Sequence, residues 1–112
     1  MLDLLSDIAA ATRGSEELDR RIATALNIDW APDEDGQFGG YGRMPRCVRF
    51  TRDFSAALHL GPDLLGTTTI YQGKKLIFIS KSGTIYDADC ATLELSMCHV
   101  FLRVALEGKG HA

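Results

Sequence analysis

Three cysteines and three histidines are the residues of this chain best suited to nucleophilic or metal chemistry: Cys47, Cys90 and Cys98, with His59, His99 and His111. A zinc site repeats Cys, His or carboxylate ligands at short spacings, so that one turn of chain offers two ligands to one ion. No pair here has such a spacing. Cys98 and His99 are adjacent, and on a helix neighbouring side chains diverge by about 100°, so they do not readily share a ligand site. Cys47 stands beside Arg46 and Arg49, a setting that lowers a thiol pKa. A cysteine on a short strand is nevertheless more often a small apolar packing residue. A Cys–His nucleophile pair would have to be assembled across the fold. The expectation is a non-enzymatic protein with no metal and no cofactor.

The other chemistry-bearing stretch runs from Trp30 to Arg52. It holds Trp30, the acidic run Asp33, Glu34 and Asp35, the aromatics Phe38 and Tyr41, and the arginines Arg43, Arg46, Arg49 and Arg52. Its glycines, Gly36, Gly39, Gly40 and Gly42, form neither a Walker loop nor a dinucleotide fingerprint. No strand is expected before them, no helix follows, and no Gly-Lys-Ser/Thr occurs. Arginine mixed with aromatics is the composition of protein-interface hot spots, and equally of phosphate and nucleotide recognition. The acidic run adds a steering charge. Candidate binding residues are therefore Trp30, Asp33, Glu34, Asp35, Phe38, Tyr41, Arg43, Arg46 and Arg49. If 47–50 is extended, Cys47 and Arg49 share one face and Arg46 and Val48 the other. Spacing alone thus gives the arginines no single patch.

The elements that must position these residues fit a single domain spanning 1–112. A chain of 112 residues, 46% of them hydrophobic, can close one core. Twelve Lys and Arg against 15 Asp and Glu leave a net charge of -3, so duplex DNA is not the expected partner. The longest apolar run falls short of the roughly 18 residues of a membrane span. The first 15 residues lack the basic start and apolar centre of a secretory signal. The expected location is the cytoplasm of a bacterial host, with the cysteines as free thiols.

Apolar spacing predicts a helix over Met1 to Thr12, ended by Gly14 in a left-handed conformation. A second helix starts at the cap Ser15 and stops at Asn27, giving a helix hairpin. Residues 29–46 are read as a long flexible loop. Residues 47–50 are an extra strand or an extended lead-in. Thr51 or Asp53 caps a short middle helix with Phe54, Ala57 and Leu58 inward, ended by Gly61 and Pro62. A meander over 67–87 follows, with strands Thr67 to Tyr71, Leu76 to Ile79 and Thr84 to Tyr86. Its middle strand is apolar throughout, as suits cover on both faces. Lys74, Lys75 and Lys81 read as solubilising turn charges. Asp89 caps a buried closing helix reaching about Leu106. Thr92, Ser96, His99, Arg103 and Glu107 would form its one wet edge. The tail 108–112 frays. The fold class is α+β: a small antiparallel sheet of three to four strands, packed with helices as an α-β-α sandwich.

Three ordered segments carry a resemblance. Residues 8–23, IAAATRGSEELDRRIA, run from an AATG-like helix end into an ELD–IA-like helix. Residues 50–58, FTRDFSAAL, pass from an aromatic-Thr pair into an AAL helix. Residues 91–103, ATLELSMCHVFLR, close the chain as a helix. In this order the segments resemble the phage ABA sandwich family of small phage and prophage domains. The closing helix is bulkier here and lacks the family's Pro near its start. The resemblance implies an α-β-α sandwich carried by phages, and no activity. The functional expectation is a phage- or prophage-encoded binding module that interacts with a host or phage protein, with inhibition of a host defence component as one such action. The alternatives are a protein that binds or sequesters a small ligand such as a nucleotide, and a structural or accessory subunit, with a homodimer among its states.

Overall fold

The computed structural model describes residues 2–27, 49–58, 60–61 and 66–110. Its elements are α1 (Leu2–Ala10), α2 (Glu16–Ala25), α3 (Phe54–Leu58), β1 (Thr68–Gln72), β2 (Lys75–Ile79), β3 (Ile85–Asp89) and α4 (Leu93–Gly110). The class is α+β, with a three-stranded antiparallel meander in the order β1-β2-β3 and the closing helix packed on it.

The helix hairpin forms where its caps lie. Ser15 is extended (φ -153, ψ 160) and its hydroxyl accepts the Leu18 N–H, which satisfies one of the orphan donors of the first turn. At the other end Asn27 adopts the left-handed conformation (φ 59) that stops α2. Gly14 has a different role from the one expected. It is not among the left-handed residues. A Cβ there would overlap the Thr51 carbonyl, so its lack of a side chain lets a distant segment come close.

Both hairpin turns follow from their glycines. Gln72 pairs with Lys75 across two residues, and Gly73 at φ 63 takes the first central position, as in a type II′ turn. The second turn spans Lys81, Ser82 and Gly83. Ser80 N–H reaches Thr84 O, Gly83 N–H reaches Ser80 O, and Gly83 at φ 88 supplies the left-handed step. The Ser80–Thr84 bond also fixes which way the backbone points. Counting from it, Phe78 and Leu76 bond toward β3, and Lys75, Ile77 and Ile79 bond toward β1. The backbone groups of Thr69 and Tyr71, and of Ile85, Asp87 and Asp89, are thereby turned to the two free edges.

The expected strand at 47–50 is corrected in part. Positions 47 and 48 lie outside the described residues. Arg49 and Phe50 are not strand: the Arg49 carbonyl accepts the N–H groups of Arg52 and Asp53 in a turn leading into α3. In α3 itself Ala56 and Ala57 are buried, whereas Phe54 and Leu58 are about two-fifths exposed. β3 runs on to Asp89, so the closing helix is capped by Thr92 and not by Asp89. Thr92 Oγ1 accepts the Leu95 N–H and its carbonyl the Ser96 N–H.

The core sits around α4. Leu95, Met97, Cys98, Val100, Phe101 and Leu102 are all buried, because this helix is covered on opposite sides. One side meets β2 and β3, where Phe101 stands edge-on to Phe78 with centroids 5.9 Å apart. The other meets α1 and α3, and α2 packs on α1. The layers among the described residues therefore run sheet, α4, then the remaining helices. The α-β-α arrangement would cover both faces of the sheet. Here β2 alternates: Leu76 and Phe78 are buried, and Lys75, Ile77 and Ile79 are only half-buried. The expectation of a middle strand covered on both faces is corrected accordingly.

Candidate functional site

Of the residues singled out for binding, Trp30, Asp33, Glu34, Asp35, Phe38, Tyr41, Arg43 and Arg46 lie outside the described residues. So do Cys47, His59, His111 and the expected loop at 29–46. Arg49 is exposed at the start of the turn before α3. The fourth arginine of the cluster, Arg52, is committed elsewhere. Its guanidinium holds Asp19 Oδ2 through Nε at 2.9 Å and Nη2 at 2.8 Å. Arg52 is thus held in an ion pair within the fold and is not free for a phosphate-binding patch.

That contact is part of a buried polar cluster missing from the sequence reading. Asp19 has no exposed surface. Its Oδ1 accepts the Thr51 N–H at 2.8 Å and the Thr51 hydroxyl at 2.5 Å. The same hydroxyl accepts the Ser15 N–H at 3.0 Å. With Gly14 making room for the Thr51 carbonyl, α2 and the turn before α3 are locked together. Every partner is used within the fold, so this cluster works as a clamp and offers nothing to a ligand.

The described thiols are Cys90, just after β3, and Cys98, next to His99 on α4. Burial, followed by the charges of Asp19 and Glu94, pushes the Cys98 thiol well above its usual range, and Sγ lies 3.1 Å from the Phe50 carbonyl. Cys90 is also raised by burial. An activated thiol needs the opposite shift. His99 is lowered by burial and then by Arg103, and its Nδ1 is buried without a hydrogen-bond partner. No group of three or more His, Cys, Asp or Glu among the described residues can hold a metal ion.

The polar stripe of α4 does not form a wet edge throughout. Ser96 is buried, and its hydroxyl is bonded to the Lys74 carbonyl at 2.5 Å and to the Cys90 N–H at 2.8 Å. Arg103 lies over the Tyr86 ring at 5.5 Å and donates to the Asp87 carbonyl at 3.0 Å. Ser96 and Arg103 thus tie the helix to the sheet and the turns beside it.

A depression of about 390 Å³ lies between α1 and α2, lined by Asp3, Leu4, Arg20, Arg21, Thr24 and Ala25. Its arginines are already engaged: Arg21 is 2.6 Å from Asp7 and Arg20 is 3.7 Å from Glu16. They do not form a free anion cradle.

What remains open is the sheet itself. Its outer face carries Ile70, Ile77, Ile79 and Ile85, with Thr68 beside them and Asp87 and Asp89 toward one end. Ile85 is 66% exposed, and no described helix packs on this side. An apolar group of this kind is a candidate interaction surface. Its sequence signal was the alternation in 75–79, hidden because every position from Leu76 to Ile79 is apolar. No helix among the described residues is long and apolar enough to cross a membrane. No family model matches the chain, and neither a curated protein nor a solved structure matches it.

Proposed function

We propose that this protein is a phage- or prophage-encoded binding module without catalytic activity, acting on a host protein such as a defence component in the bacterial cytoplasm. The observation that supports the binding reading is the outer face of the sheet, on which no described helix packs and where Ile70, Ile77, Ile79 and Ile85 lie on three adjacent strands. A face of that composition gains by excluding water against a partner, at about 25 cal/mol per Å² of apolar surface removed. Asp87 at its rim, together with the Lys75 and Asp89 pair across β2 and β3, gives orientation through charge. The phage origin rests on the three-segment resemblance. The raised thiols of Cys90 and Cys98 support the non-enzymatic reading.

The test is capture from host lysate by the intact chain and by an Ile77→Lys, Ile85→Lys double variant, followed by direct titration of any protein that only the intact chain retains. The proposal expects at least one host protein whose affinity drops by tenfold or more in the variant, which is about 1.4 kcal/mol. Identical retention by both chains would sink it.

A further inference from the structure

The two free edges of the sheet are unlike each other. On β3 the edge is guarded. Asp87 and Asp89 flank it, and Arg103 occupies the outward carbonyl of Asp87. Charged side chains and occupied backbone groups are how proteins keep sheet edges from pairing. On β1 nothing comparable is present. The strand reads Thr68, Thr69, Ile70, Tyr71 and Gln72, with no charged residue, and four of the five are exposed. The backbone groups of Thr69 and Tyr71 face outward, and the described residues make no bond to them there. Five large hydrophobic residues are exposed among the described residues, and three of them are placed at this edge: Ile70 on its outer face, and Tyr71 with Phe54 of α3 on the other. Phe54 and Tyr71 touch, with ring centroids 5.8 Å apart, so strand and helix form one apolar surface.

We infer that the β1 edge joins two copies of this chain, β1 pairing antiparallel with β1 of the partner subunit about a two-fold axis at Ile70. The strand is complementary to itself. Thr69 and Tyr71 carry the outward groups, and in this register Thr69 exchanges both bonds with Tyr71 of the partner subunit, while Tyr71 does the same with the partner's Thr69. Ile70 then faces Ile70 of the partner subunit in a non-hydrogen-bonded pair on the outer face, where cross-strand side chains are closest. A two-fold axis sets each charge near its own copy, and a strand without charges pays no like-charge cost there. β3, with Asp87 and Asp89, would. The exposed Phe54, packed on Tyr71, flanks the seam and extends the contact beyond two strands. This inference shares Ile70 with the function proposed above and leaves Ile85 and the β3 side of the outer face free for that partner.

Sedimentation equilibrium on the full chain tests it across a concentration series. The expected result is a mass of twice 12.2 kDa at high concentration. Ile70→Lys sets two like charges opposite each other and should return the mass to 12.2 kDa. Thr69→Pro removes only an outward N–H and should do the same with the β1–β2 ladder kept, the fold of both variants being checked by circular dichroism. Ile85→Lys should leave the dimer intact. The register has its own readout. A non-hydrogen-bonded pair places Cα atoms about 4.5 Å apart, within disulfide range. With Cys47 replaced by serine, Ile70→Cys should therefore form a covalent dimer on mild oxidation, and Thr68→Cys, which would face Gln72 of the partner subunit, should not. A wild-type chain that stays monomeric into the millimolar range overturns the proposal, as does a dimer that survives both β1 variants or is lost equally with Ile85→Lys.

Discussion

Asp19 receives four contacts, and all come from two consecutive residues, Thr51 and Arg52. A carboxylate without solvent depends on such partners, and removing it strands the Thr51 N–H and the guanidinium together. Arg52 is a third exposed, so water repays part of that loss. Asp19→Ala should therefore cost about 3 kcal/mol in a urea titration. Gly14→Ala should cost roughly 1–3 kcal/mol, since its methyl group meets the Thr51 carbonyl and not a side chain that can swing away. His99 sets a pH dependence. Its pKa is lowered from 6.5 in the folded chain, first by burial and then by Arg103. The unfolded chain therefore takes up the proton first as pH falls. Stability from this group is complete above about pH 6.5 and declines below it. The slope below about pH 6.5 should flatten in His99→Gln, read by denaturant midpoints at each pH.

Helices and strands were legible where one residue type suffices to start or stop them. Ser15 and Asn27 bound α2 because a short polar side chain satisfies a cap within the same turn. Gly73 and Gly83 mark the hairpins because their φ values exclude most other residues. Gly14 misled for a related reason: a glycine allows a left-handed turn and a close approach equally, and only the distant Thr51 decides between them. The same holds for Ser96 and Arg103. Their spacing puts them on one stripe of α4, and nothing local says that the stripe meets Lys74, Cys90 and Tyr86 and not water. Ser96→Ala should cost about 2 kcal/mol, because the buried Cys90 N–H loses its acceptor and the turn at Lys74 loses its tie to α4. Hydrogen exchange should show the Cys90 amide opening faster in that variant.

At the scale of the molecule, the helices and the meander could be read from pattern, and their layering could not. An apolar run such as Leu76 to Ile79 satisfies a strand covered on both faces and one covered on a single face with the other awaiting a partner. Only the half-burial of Ile77 and Ile79 separates the two. The binding residues expected between Trp30 and Arg46 lie outside the described residues, whereas the surfaces the described residues offer are the outer face and the β1 edge. Ile85→Lys should barely change the unfolding free energy, within about 0.5 kcal/mol, since its side chain is already in water. The same change is therefore a clean probe of binding.

The bond from Arg103 to the Asp87 carbonyl decides more than how α4 meets the sheet. A unit with two reactive ends polymerises, and a unit with one stops as soon as that end is used. With β3 stoppered and β1 open, this chain is monofunctional: β1 pairing consumes the single open end of each copy and terminates at two. Arg103→Ala combined with Asp87→Thr and Asp89→Thr, which removes all three guards, would turn it into a bifunctional unit, and light scattering should then detect species that grow with time, in place of a fixed mass.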